Sequence, residues 1–131
     1  MSSSDSSGNY LFSVPSGGSY TVTPNKPSLA PGAAGITTTD VVAVQRHFLS
    51  LGTPLSGCRL TAADVNGDTA INTIDVVAIQ RFFLVLSTGT ANTGKYRFNP
   101  LTRSYSTLNT NQTNQNYDAF VLGDVAAPFV Q

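Results

Sequence analysis

Residues 64–75 read Asp64-Val65-Asn66-Gly67-Asp68-Thr69-Ala70-Ile71-Asn72-Thr73-Ile74-Asp75, which places oxygen-bearing side chains at positions 1, 3, 5, 9 and 12 of a twelve-residue stretch. At that spacing one turn can fold carboxylates, amides and a carbonyl around a single hard cation. Calcium suits the set. Magnesium would demand a stricter octahedron, and the stretch supplies neither the thiolates nor the clustered imidazoles that zinc prefers. Asp64, Asn66, Asp68 and Asp75 are the expected side-chain ligands, Ala70 is expected to give its backbone carbonyl, and Asn72 to act directly or through water. A metal-free alternative is an Asx-rich turn whose Asp75 caps the following helix. Carboxylates packed this closely repel one another without a cation, which favours the metal.

The stretch departs from an EF-hand loop at two places. Thr69 stands at position 6, where glycine normally takes the sharp turn, and Asp75 at position 12 has a shorter reach than glutamate. The loop opens an apolar-periodic segment, Val76 to Leu86, that reads as a helix. A matching helix is expected earlier, with Thr38-Thr39-Asp40 as its cap and Val41, Val42, Val44, Phe48 and Leu49 on its apolar positions up to Gly52. Ile36–Leu49 and Ile71–Leu84 agree at ten of fourteen positions, so the segment is an internal duplication with an offset of 35 residues. The two apolar faces are expected to bury each other, with Leu55, Leu60 and the turn at Thr61-Ala62-Ala63 closing the core.

On these residues the chain resembles a dockerin domain. The resemblance implies two calcium-loop-plus-helix repeats and a cohesin as partner, met through Thr38, Thr39, Gln45 and Arg46 of the first repeat and Thr73, Ile74, Gln80 and Arg81 of the second. The resemblance is broken in the first repeat, where Leu29, Pro31 and Ala33 fall at the places of Asp64, Asn66 and Asp68. That repeat keeps its helix and Asp40, read as a cap, and is expected to bind no calcium. His47, in the place of Phe82, reads as a packed or half-exposed ring.

Outside the duplication the pattern turns to alternation. Asn9–Val14 and Ser19–Thr23, joined through Pro15-Ser16-Gly17-Gly18, read as a hairpin, and Tyr96–Pro100, Ser104–Leu108 and Gln115–Phe120 read as three short strands. These pieces resemble the middle and end of a carboxypeptidase regulatory-like, transthyretin-type β-sandwich. The expected fold is α+β: an incomplete antiparallel β-sandwich, Ig- or transthyretin-like, with an inserted dockerin-like two-helix calcium-binding subdomain. Residues 1–27 would form the first part of the sandwich, 28–88 the helical insert, 89–120 the second part, and 121–131 an apolar tail. A sandwich lacking strands exposes backbone and an apolar groove. Phe120, Leu122, Val125 and Phe129 are therefore candidate residues of a strand donated to a neighbouring copy.

Composition narrows the function classes. Net charge is zero and only 11% of the 131 residues are charged, which excludes the electrostatic footprint of a nucleic-acid or anionic-membrane partner. There is one histidine, one cysteine (Cys58) and no glutamate, and no nucleophile-base arrangement or phosphate loop is present, so no enzyme is expected. No membrane span and no signal peptide are read. The Ser/Thr/Asn/Gly-rich surface points to an extracellular or cell-surface setting, in which Asn111 of Asn111-Gln112-Thr113 is a possible glycosylation site. The leading expectation is a calcium-binding structural module that assembles head to tail with copies of itself into a filament. A cohesin-binding dockerin module is the alternative, and an accessory domain of a larger secreted protein is a third reading.

Overall fold

A computed structural model describes residues 3–126. Its elements run β1 (Tyr20–Val22), α1 (Thr38–Phe48), α2 (Cys58–Ala63), α3 (Thr73–Phe83), β2 (Tyr96–Asn99), β3 (Arg103–Tyr105) and β4 (Asp118–Val121). Among the described residues they divide between two compact units, one of residues 3–23 and 102–116, the other of 24–101 and 117–126.

The larger unit is built on the duplication. α1 and α3 each start at a capping box. Thr37 caps α1 and accepts from Thr39 N–H while Asp40 accepts from Thr37 N–H; Asn72 caps α3 and accepts from Ile74 N–H while Asp75 accepts from Asn72 N–H. The first cap is thus Thr37, one residue before the expected Thr38. Both helices also stop in the same way. Leu51 N–H reaches back to Arg46 C=O and Leu86 N–H to Arg81 C=O, with Ser50 (φ 56°) and Val85 (φ 63°) left-handed between. α1 therefore ends before Gly52.

α1 and α3 pack on each other. The core comprises Ile36, Val44, Ala62, Ala63, Val65, Ala78, Ile79, Phe82, Phe120, Leu122 and Val125. Burial is less complete than the apolar pattern suggests. Val42, Phe48, Leu49 and Leu60 are exposed, Leu55 packs only at the margin, and the core is completed instead from the residues around β4. β4 pairs antiparallel with β2, Phe120 opposite Arg97 and Ala119 opposite Phe98. His47 is half-buried, and its Nδ1 accepts Leu55 N–H at 3.0 Å.

In the smaller unit β1 pairs antiparallel with β3, Tyr20 opposite Tyr105 and Val22 opposite Arg103. The expected hairpin between residues 9–14 and 19–23 does not form. The backbone that would have turned is bonded elsewhere: Gly17 N–H donates to Leu108 C=O and Leu108 N–H to Gly18 C=O. Tyr10 and Ser19 donate their hydroxyls to the carbonyls of Gln115 and Ser106. A complete Ig-like sandwich is absent among the described residues, which hold two separate two-stranded sheets. A sheet of only two strands is too narrow to form a packed layer of its own.

Candidate metal centre

The loop from Asp64 to Asp75 is held by its own side chains before any cation is considered. Asp64 Oδ1 accepts the N–H groups of Gly67 and Asp68, and its Oδ2 accepts Thr69 N–H at 2.8 Å. Asp68 Oδ1 accepts Ala70 N–H, while Asn66 bonds Asp68 through both ends of its amide. Asp75, fully buried at the start of α3, accepts Asn72 N–H at 3.0 Å on Oδ2 and Asn66 N–H at 3.3 Å on Oδ1. The loop is tied to the rest of the unit by Asn92 N–H on Val65 C=O.

This web brings one carboxylate oxygen from each of Asp64, Asp68 and Asp75 within 4.8 Å of one another. Burial, followed by the neighbouring Asp64 charge, holds the Asp75 carboxyl above the ordinary carboxylate range against the opposing pull of its N–H donors. Three carboxylate oxygens this close repel one another, and a cation between them would relieve that repulsion. The donors are hard oxygens, carboxylate and amide, with no thiolate or imidazole among them, so the residues fit calcium. Asn66 Oδ1 stands in the same web, and Asn72 uses its amide oxygen first as the α3 cap.

Residues 34–91 match the family model of the dockerin type I domain. Over that stretch the chain is similar to a dockerin, and calcium held in an EF-hand-like loop is the cofactor of the dockerin-like segment. The matched stretch spans both α1 and α3. No curated protein and no solved structure matches the chain.

The residues expected to face a cohesin lie on α1 and α3. Thr38, Thr39, Gln45, Arg46, Thr73, Ile74 and Gln80 are exposed, whereas Arg81 is half-buried. Arg81 bends back onto the following loop, its Nε donating to Thr88 C=O at 2.7 Å and its Nη2 to Thr88 Oγ1 at 3.2 Å. Asn111 is exposed in the smaller unit. The structure places Phe120, Leu122 and Val125 in the chain's own core, because β4 and the residues after it close the helical pair. Phe129 lies outside the described residues.

Asp40, expected as a cap, has a second role. Asp40 is only 2% exposed, and besides closing the α1 capping box it accepts Val125 N–H and Ala126 N–H on Oδ1. Its position opposite Asp75 in the duplication marks it, but nothing local to residue 40 points to a partner 85 residues away.

Proposed function

We propose that the chain is a non-enzymatic extracellular module that docks a cohesin partner through its calcium-bearing repeat. The observation carrying this reading is the surface beside the loop. Ile74 and Val77, 59% and 49% exposed, adjoin a shallow depression also lined by Thr73, Ala78, Arg81, Gly89 and Ala91. Apolar side chains at the start of a helix whose entry the metal holds rigid make a partner surface dependent on calcium. At the equivalent places the first repeat has Thr39 and Val42, and only the latter is apolar. The α3 copy is therefore the stronger face. Among the described residues no helix is long and apolar enough to cross a membrane.

The test is binding of the whole chain to a panel of cohesin domains by calorimetry, with calcium and with a chelator. The expected result is calcium-dependent binding to at least one cohesin, lost in Ile74→Asp. Failure to bind any of them, or binding that ignores both calcium and Ile74, overturns the reading.

A second reading, self-assembly by strand complementation, rests on the smaller unit. None of its described residues is fully buried, and Leu11, Phe12 and Val14 are exposed beside a sheet of two three-residue strands. A sheet that small is marginal in water and gains a core by adding a strand from a second copy. Size exclusion with light scattering, and negative-stain imaging, separate the cases. Long repeating particles that are lost in Leu11→Asp, Phe12→Asp support assembly; a monomer excludes it.

A further inference from the structure

Asp40 and Asp75 occupy the same place in the two copies of the duplicated motif, 35 residues apart. In each, one carboxylate oxygen closes a capping box: Asp40 Oδ2 accepts Thr37 N–H at 2.8 Å and Asp75 Oδ2 accepts Asn72 N–H at 3.0 Å. The second oxygen distinguishes them. Asp75 Oδ1 turns to the loop that gathers Asp64 and Asp68. Asp40 Oδ1 has no such loop, and accepts Val125 N–H at 2.8 Å and Ala126 N–H at 2.9 Å.

We infer that the amides of Val125 and Ala126 take at the first repeat the place that a cation takes at the second, so that the chain binds one calcium ion and carries residues 122–126 as an internal clasp on α1. This goes beyond the docking reading and does not depend on it. A carboxylate as buried as Asp40 is costly unless its charge is compensated. Two adjacent N–H groups converging on one oxygen supply that compensation through charge-assisted bonds, as backbone donors do at an anion-binding nest.

The path to Asp40 is built in. Gly94 N–H donates to Leu122 C=O at 2.8 Å, Leu122 N–H to Lys95 C=O at 2.9 Å, and Gly123 N–H to Ala62 C=O at 2.8 Å. Gly123 has φ 96°, and a Cβ there would stand 2.6 Å from Thr93 Cγ2, so the turn after β4 passes where only glycine fits. Leu122 and Val125 then enter the core on either side of it, which aims the next amides at Asp40. The first helix is thereby held without metal, and the second with it.

Hydrogen exchange measured by NMR on the full chain, with calcium stoichiometry by calorimetry, tests this. The wild type should bind one calcium per chain and protect the Val125 and Ala126 amides. In Asp40→Asn, which keeps the side-chain shape and removes the charge, those two amides should exchange about tenfold faster or more, with stoichiometry unchanged. A second calcium lost in Asp40→Asn, or Val125 and Ala126 exchanging in the folded wild type as fast as free amides, overturns the inference. Should Asp40→Asn fail to fold, Ala126→Pro removes one donor and leaves the carboxylate intact. It should lower Tm equally in calcium and in chelator, and a loss seen only in calcium also overturns the clasp.

Discussion

Thr69 N–H donates to Asp64 Oδ2 at 2.8 Å from a left-handed backbone, φ 69°, at the turn of the metal loop. A β-branched residue is poorly suited to that conformation, which costs a side-chain-bearing residue roughly 1–2 kcal/mol. The hydrogen bond to Asp64 holds it there nonetheless. Thr69→Gly should remove the strain, and part of that gain is offset by the greater freedom of glycine in the unfolded chain. The net expectation is a rise in Tm of a few degrees, roughly 0.5–1 kcal/mol, in calcium-saturated buffer. A fall in Tm by scanning calorimetry would show that the turn does not need a left-handed residue at 69.

Asp68 and Asp75 should behave differently when neutralised. Asp68 is exposed and its bonds are confined to the loop, so Asp68→Asn should abolish calcium stabilisation and leave the chain in chelator unchanged. That stabilisation is about 2.7 kcal/mol when calcium stands at a hundred times its dissociation constant. Asp75 is buried and also closes the α3 capping box, so Asp75→Asn should lose a further 1–2 kcal/mol, approximately, even in chelator. Denaturant melts of both variants, with and without calcium, make the comparison. Equal losses in chelator would refute the double role.

Because burial holds the Asp75 carboxyl above the ordinary carboxylate range, calcium competes there with a proton. Affinity should weaken as pH falls through the mildly acidic region, with proton release on binding. Calorimetric titrations in two buffers of different ionisation enthalpy measure the protons directly, and a count of zero at mildly acidic pH would rule this out.

The helical pair and its metal loop were legible because their signals are local. A capping residue followed three positions later by aspartate, a 3.6-residue apolar period and a repeat at fixed offset all lie within a few turns of chain. What was not legible depends on distant backbone. Leu108 takes the amide of Gly17 and the carbonyl of Gly18, which sends β1 to β3 instead of to residues 9–14. The apolar residues from Phe120 to Val125 looked like a segment for export to a neighbour because apolar character does not say whose core it fills. Gly123 and the carboxylate of Asp40 decide that, and neither carries a local sequence signature.

Asp124 lies within this clasp, and its carboxyl is pushed up to about 6 from 3.8, first by burial and then by the Asp40 charge, with Arg59 opposing. Between those values the folded chain keeps a proton that the unfolded chain has released, so this group's contribution to stability falls as pH rises through the window. Asp124→Asn mimics the protonated form. It should raise Tm by roughly 2–4 °C at about pH 7.5 and by nothing near pH 4. An equal shift at both pH values would mean that ionisation at 124 is not what the wild type resists.

Gly94 should be the least replaceable glycine. Its amide donates to Leu122 C=O and its carbonyl accepts Leu29 N–H, both at 2.8 Å, so three separate segments meet through one residue at φ 87°. A Cβ added there would stand 2.6 Å from two ring atoms of Phe82 and 3.0 Å from Leu29 C=O. Phe82 is fully packed in the core and cannot retreat, so Gly94→Ala combines a left-handed backbone penalty with overpacking, roughly 3 kcal/mol together. Gly67→Ala has the same backbone problem with nothing within 4 Å, and should cost only the first part, about 1–2 kcal/mol. Chemical denaturation of the pair in chelator, where metal binding cannot mask either loss, isolates the packing cost as the difference between them. If the two losses were equal, Phe82 would have room that the close packing around Gly94 denies it.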